Sequence, residues 1–306
     1  MTALVTGAGG FLGRHLVAHL AKLGIPVVTL GRSIPPGAAP GSAFALADPA
    51  DGAAIRAVME QVRPSLVFHL AGTPAPEPLA EAYRVNTLFG AHLLAAARVL
   101  DAPPRVLLAG SAAEYGPVAE DALPVEETAP CRPVAPYGIT KLAQTLHGLA
   151  AADAGLPVVV ARLFNIVGAG MPAHLALGSF ARQIAAMPAE GGTLRSGPLD
   201  RERDFVEAGP VAAALVALLQ DPRAAGRVVN VCSGKPTSLA VMVRALVAAS
   251  GKPVTLRQET GRFGNSDMIR HWGSAALLAS LGHVLGAADP VRVADALLGQ
   301  SPSQGA

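Results

Sequence analysis

With 306 residues, 51% of them hydrophobic, the chain can bury a sizeable core as one large unit or two closely joined ones, without a metal or disulfide to hold it. A formal charge of +2 and a sequence pI of about 8.7 are too mild for an electrostatic nucleic-acid binder, so an anionic ligand must be met by local arginines. The two cysteines, Cys131 and Cys232, match no metal-ligand or redox spacing, which points to free thiols in a reducing, cytoplasmic setting.

Met1 to Gly7 offers no basic n-region and runs straight into a glycine-rich turn, so no signal peptide is expected. Apolar stretches such as Val211 to Leu219 fall short of the ~20 residues a membrane span needs, and no membrane partner is expected either. Along the chain, short β-branched runs alternate with helical stretches: Ala3 to Thr6 then Gly13 to Leu23, Val27 to Leu30 then Gly52 to Gln61, Leu66 to Leu70 then Ala80 to Leu100. Strands follow at Val106 to Ala109 and Val158 to Arg162, the second after a helix opened by Tyr137. This alternation predicts a doubly wound α/β fold of Rossmann type, a parallel sheet with helices on both faces. Beyond Arg162 the regularity gives way to glycine- and proline-rich segments around one helix (Val211 to Gln220) and one strand (Val228 to Cys232), predicting a smaller C-terminal α/β region. Ser33 to Ser42 and Ser301 to Ala306 are expected to be loop.

Thr6-Gly7-Ala8-Gly9-Gly10-Phe11-Leu12-Gly13 follows the first strand and opens a helix. Glycines there allow a tight turn and close backbone approach, and a helix N-terminus offers free N–H groups to a pyrophosphate. The glycines alone would fit an ordinary strand-to-helix turn; the β-α-β pattern that follows favours a dinucleotide. At the end of the second strand, where NAD-preferring sites carry an acid, the sequence reads Gly31-Arg32-Ser33. Arg32 suits the 2′-phosphate of NADP, so NADP(H) is expected over NAD(H), with a solvated surface arginine as the alternative. Asp48 is a candidate for the adenine amine or simply a turn aspartate before Pro49.

Tyr137 and Lys141 lie four residues apart in Pro136-Tyr137-Gly138-Ile139-Thr140-Lys141, hence on one helix face. A nearby cation should lower the tyrosine pKa and make Tyr137 a general acid or base, with Lys141 also able to hold the nicotinamide ribose. Ser111, at the end of the strand Val106 to Ala109 and its Gly110, could hydrogen-bond the reacting oxygen.

Six segments occur in the order seen in extended short-chain dehydrogenases/reductases of the nucleotide-sugar branch: Thr6 to Gly13, Val67 to Gly72, Gly110 to Gly116, Tyr137 to Lys141, Arg162 to Asn165 and Arg203 to Val206. Gly110-Ser111-Ala112-Ala113-Glu114-Tyr115-Gly116, Arg132-Pro133 and Asn230-Val231-Cys232-Ser233-Gly234 make the chain most similar to GDP-4-keto-6-deoxy-D-mannose reductases. The resemblance implies a catalytic triad of Ser111, Tyr137 and Lys141, and a cofactor set of Gly7, Gly10, Phe11, Leu12, Gly13, Arg32, Ser33, Asp48, Leu70, Ala71, Gly72 and Asn86 together with the two catalytic helix residues. It places Ser111, Glu114, Asn165, Arg203 and Arg270 at the substrate, although Arg203 could instead form an ion pair with Glu202 or Asp204. It also implies a homodimer through the helices around Leu88 to Leu100 and Gly138 to Ala152. Residues 1–164 and 203–231 would form the cofactor domain, and 165–202 and 232–306 the substrate region.

Two departures bear on function. Dehydratases of this family carry an Asp-Glu pair after the catalytic Ser/Thr, whereas here Ala112 and Ala113 stand in those positions, which argues against a dehydratase. The C-terminal diphosphate arginine is displaced: Gly264 stands in its place, with Arg262 and Arg270 nearby. The expected activity is an NADPH-dependent reduction of a nucleotide-linked 4-keto-6-deoxyhexose in deoxysugar biosynthesis; a nucleotide-sugar epimerase and a non-catalytic dinucleotide-binding scaffold are the alternatives.

Overall fold

The computed structural model describes residues 1–34, 38–74, 78–259 and 268–299. Arg262, Gly264 and the tail from Ser301 to Ala306 lie outside the described residues.

Six apolar runs become parallel strands: β1 (Ala3–Thr6), β2 (Val27–Gly31), β3 (Ala43–Ala45), β4 (Leu66–His69), β5 (Arg105–Ser111) and β6 (Val158–Leu163). Every residue of β1 and β4 is buried, as expected where helices cover both faces of a parallel sheet. Smaller strands follow at β7 (Asn165–Val167), β8 (Gly192–Ser196), β9 (Glu202–Arg203) and β10 (Phe205–Glu207), and β11 (Val228–Val231) completes the main sheet beside β6. Its order is β11-β6-β5-β4-β1-β2-β3, so the chain winds outward in one direction from β1 to β3 and in the other from β4 to β11. That reversal opens a crevice at the carboxyl ends of β1 and β4.

The helices are α1 (Phe11–Lys22), α2 (Gly52–Val62), α3 (Leu79–Tyr83), α4 (Phe89–Arg98), α5 (Pro136–Asp153), α6 (Ala176–Ala185), α7 (Ala208–Gln220), α8 (Leu239–Ser250), α9 (Ala276–Ser280) and α10 (Pro290–Leu298). Their ends carry recognisable local chemistry. Asp51 accepts from the Ala54 N–H at the start of α2, Pro136 fills the first position of α5, and Gly251 takes φ +63° to end α8. Leu16 and Leu20 of α1 and Val211, Leu215 and Leu218 of α7 pack on one face of the sheet. Ile55 and Met59 of α2, Leu93 and Leu94 of α4 and Ala151 of α5 pack on the other.

A third core joins α6, α8 and α10, with Leu177, Phe180, Ala181 and Ile184 forming the buried stripe of α6 at helical spacing. The remaining strands are β12 (Thr237–Ser238), β13 (Val254–Gln258) and β14 (Arg270–His271). β9 lies between β12 and β14, β13 pairs with β8, and β10 pairs with β7. The helix expected from Ala80 to Leu100 is interrupted: Arg84–Leu88 winds as a single π-helical turn between α3 and α4. Among the described residues no helix is long and apolar enough to cross a membrane.

Candidate active site

The crevice at the carboxyl ends of the strands is a cleft of about 460 Å³, bordered by Gly7 and Gly10 after β1, Arg32 after β2, and Leu70, Ala71 and Gly72 after β4. Close approach of backbone explains its glycines. Gly7 sits at φ +69°, and a Cβ on it would fall 2.8 Å from the Ala71 nitrogen. A Cβ on Gly13 would lie 2.1 Å from the Gly7 carbonyl oxygen, so α1 can dock on the loop only without a side chain there. The α1 N-cap, Gly10, makes no side-chain cap, leaving the first N–H groups of the helix for an anion. Arg32 and Ser33 are exposed at the lip. These features fit a dinucleotide, with pyrophosphate at the helix start and a cation near the adenosine ribose.

At the end of β5, Ser111 caps a 3₁₀ turn spanning Ala112–Glu114: its hydroxyl accepts from the Ala113 N–H at 3.2 Å, and its N–H donates to Glu114 at 2.7 Å. A Cβ on Gly138 would be 2.4 Å from the Ala113 carbonyl oxygen, so the glycine after Tyr137 lets α5 approach this turn. Tyr137 and Ser111 are thereby brought close enough for the serine hydroxyl to favour the phenolate. One turn on, Lys141 is buried and donates from Nζ to Gln144 Oε1 at 2.8 Å.

The electrostatics differ from the expectation that Lys141 lowers the tyrosine. Burial raises the Tyr137 pKa, the Ser111 hydroxyl opposes it, and the Glu114 charge adds to the rise. Burial also lowers Lys141 to about 8, against the Glu114 charge. Desolvation therefore sets the direction of the shift, and the phenol keeps its proton at neutral pH.

Several expected contact residues also have partners within the fold. Glu114, fully buried, accepts from the Ser111 N–H, the Thr145 hydroxyl and Nε and Nη2 of Arg162, so it supports the Ser111 turn. Asn86, on the π-helical turn, is also fully buried. Its Oδ1 accepts from the Thr73 N–H, and its Nδ2 donates to the Thr73 carbonyl and the Thr140 hydroxyl, so it fixes the cleft wall.

Asp48 accepts from the Ala50 N–H and pairs with Arg84, which matches the turn-aspartate alternative. Arg203 forms neither expected ion pair. Its guanidinium donates to the carbonyls of Glu202, Met268 and Ile269, fastening the segment that leads into β14. Arg270 pairs with Glu202 at 3.0 Å. Asp204 accepts from the Ser233 N–H and hydroxyl and from the Gly234 N–H. Asn165 stays half-buried, with a single 3.4 Å bond to the Asp204 carbonyl. Gln144, Thr140 and Arg162 have partners at the site that the sequence reading gave no role; only the i, i+3 spacing of Gln144 from Lys141 could have drawn attention to it.

A family model described as the NAD dependent epimerase/dehydratase family matches residues 3–232. The dTDP-6-deoxy-L-talose 4-dehydrogenase (NAD(P)(+)) of Kitasatospora kifunensis is 35% identical over 259 residues, 83% of this chain and 80% of that protein. The GDP-6-deoxy-D-mannose reductase of Pseudomonas aeruginosa is 32% identical over 281 residues, 90% of this chain and 88% of the relative. The structure of RMD from Pseudomonas aeruginosa complexed with NADPH superposes with a TM-score of 0.81 at 28% identity, covering 98% of each chain.

Proposed function

The chain belongs to the NAD dependent epimerase/dehydratase family, and within it we propose an NADPH-dependent reductase of the C4 carbonyl of a nucleotide-linked 6-deoxyhexose. The observation that carries this reading is the pairing of a protonated, half-buried Tyr137 with Ser111, beside Ala112 and Ala113. Bound NADPH supplies the hydride. Ser111 orients and polarises the carbonyl, Tyr137 gives its proton to the developing alkoxide, and the Lys141 ammonium adds positive charge where negative charge grows. A phenol that keeps its proton suits a donor in reduction, and the two alanines provide no acid/base pair for eliminating water.

Arg32 at the lip supports NADPH over NADH. Residues 165–202 and 232–306 would take the sugar nucleotide, with Asn165, whose side chain makes one long 3.4 Å bond, as a polar contact for it. The names of both sequence relatives join a nucleotide-linked 6-deoxyhexose to an oxidation or reduction, which supports the substrate class and leaves GDP and dTDP as the nucleotides to try in that order. Exposed Leu88 and Leu146 support a homodimer through α4 and α5, to be read by sedimentation.

The test supplies NADPH and a 4-keto-6-deoxyhexose nucleotide generated in place by a separate dehydratase. Stoichiometric NADPH oxidation to a 6-deoxy sugar nucleotide is expected. Interconversion of a UDP-hexose with its epimer, without net cofactor change, would replace the reductase by an epimerase. Dinucleotide binding with neither turnover would leave a scaffold.

A further inference from the structure

Gln144 is fully buried one helical turn beyond Lys141, between α5, β5 and α4. Its Nε2 donates to the Ala109 carbonyl oxygen at 3.2 Å, two residues before Ser111 on β5, and its Oε1 accepts from Lys141 Nζ at 2.8 Å. The two bonds fix the amide's orientation. A backbone carbonyl only accepts, so the NH₂ end must face Ala109 and the oxygen must face Lys141. The pocket leaves little room to turn, because a Cβ on Gly90 of α4 would already lie 3.2 Å from Gln144 Cγ.

An acceptor held by the strand that carries Ser111 therefore points at the amine on the helix that carries Tyr137. We infer that Gln144 is a positioning residue that fixes Lys141 Nζ relative to Ser111 and keeps it in the ammonium form. This rests on the proposed role of Lys141.

The surroundings define what Gln144 works against. The charged and titratable groups around Lys141 are Tyr137 on its own helix, Glu114 on the turn after β5, Arg162 of β6 paired to that glutamate, and His69 at the end of β4. His69 is held neutral, with its pKa lowered to about 3 by burial and then by the Lys141 charge, so it adds no second positive charge beside the amine. Glu114 has three donor groups of its own in Ser111, Thr145 and Arg162. Burial pulls Lys141 toward its neutral amine; the Glu114 charge opposes it, and Gln144 adds an acceptor hydrogen-bonded directly to the amine.

The chain has four lysines, Lys22, Lys141, Lys235 and Lys252, so ¹³Cε-lysine NMR of the whole protein can follow each titration, with Lys141→Arg identifying its signal. Gln144→Met keeps the length of the side chain and removes the acceptor; it should lower the Lys141 titration by about one pH unit, the size of a lost hydrogen bond to a charged group. Gln144→Glu, equal in shape, should raise it and gives a second readout if the methionine variant does not fold. A titration unmoved in Gln144→Met, or in Gln144→Glu if that alone folds, overturns the inference, even if stability falls, because a purely structural glutamine would destabilise the fold without moving Lys141. Failure of the underlying reading looks different: Lys141→Met with normal turnover removes Lys141 from the chemistry while the NMR result still decides whether Gln144 sets its charge.

Discussion

Tyr137 holds its proton because burial outweighs every stabilisation of the phenolate in its surroundings. Replacing it by phenylalanine keeps the ring and removes the donor, so kcat should fall by about 10²- to 10⁴-fold while NADPH affinity is retained. Steady-state kinetics with calorimetric cofactor titration decide this. Near-normal turnover would require another donor, and Glu114 is closed off by Arg162, Thr145 and the Ser111 N–H. Arg32 tests a different interaction. A charge-assisted pair with a 2′-phosphate contributes roughly 1.5–3 kcal/mol, so NADPH should bind at least about tenfold more tightly than NADH and Arg32→Ala should erase the difference. Equal affinities in the unaltered protein would return Arg32 to an ordinary surface arginine. At this scale the sequence was informative where spacing alone creates geometry, as with Tyr137 and Lys141 on one helix face. It was uninformative where a polar group could choose among partners: Asn86, Glu114 and Arg203 are each claimed by neighbours distant in the chain, Thr140, Arg162 and Ile269 among them.

The loop between β1 and α1 shows how one element can depend on an absent side chain. Gly13 and Gly9 lie four residues apart, yet a Cβ on Gly13 would overlap the Gly7 carbonyl, while one on Gly9 meets nothing within 4 Å. Gly13→Ala should therefore push α1 off the loop, lowering stability by about 1–3 kcal/mol as overpacking does and weakening NADPH binding. Gly9→Ala should leave thermal unfolding unchanged. Comparable effects of the two substitutions in calorimetry and melting would contradict this packing account. The longer elements were legible because β-branched runs and helical periods recur along the first half of the chain. The π-helical turn at Arg84–Leu88 was not, since five residues of altered winding leave the apolar pattern of the Ala80 to Leu100 stretch almost unchanged. The two-residue strands β9, β12 and β14 are too short to show any period; pairing with distant partners defines them.

For the molecule as a whole, the same close packing that shapes the cleft also buries two neutral histidines in different cores. His69 lies at the end of β4 beside Phe89, with its pKa lowered to about 3 by burial and then by Lys141. His271, on β14, stacks on Phe164 with ring centroids 5.5 Å apart and is lowered to about 4 by burial and then by Arg203. In the unfolded chain both titrate near an ordinary value of about 6.5. Between that value and about 4 the unfolded state binds more protons than the folded one, so folding stability is fully present above about pH 6.5 and falls as the solution is acidified. Asp204 acts in the opposite sense, because burial raises its pKa, but a carboxylate starts from a lower ordinary value and enters the range late. The melting temperature should therefore drop steadily from about pH 7 to about pH 4.5, and His271→Phe, which keeps a ring against Phe164 but cannot take up a proton, should lose less over the same interval. Melting curves that are flat across this interval, or equally steep in the variant, would mean that the buried imidazole of His271 does not govern acid unfolding.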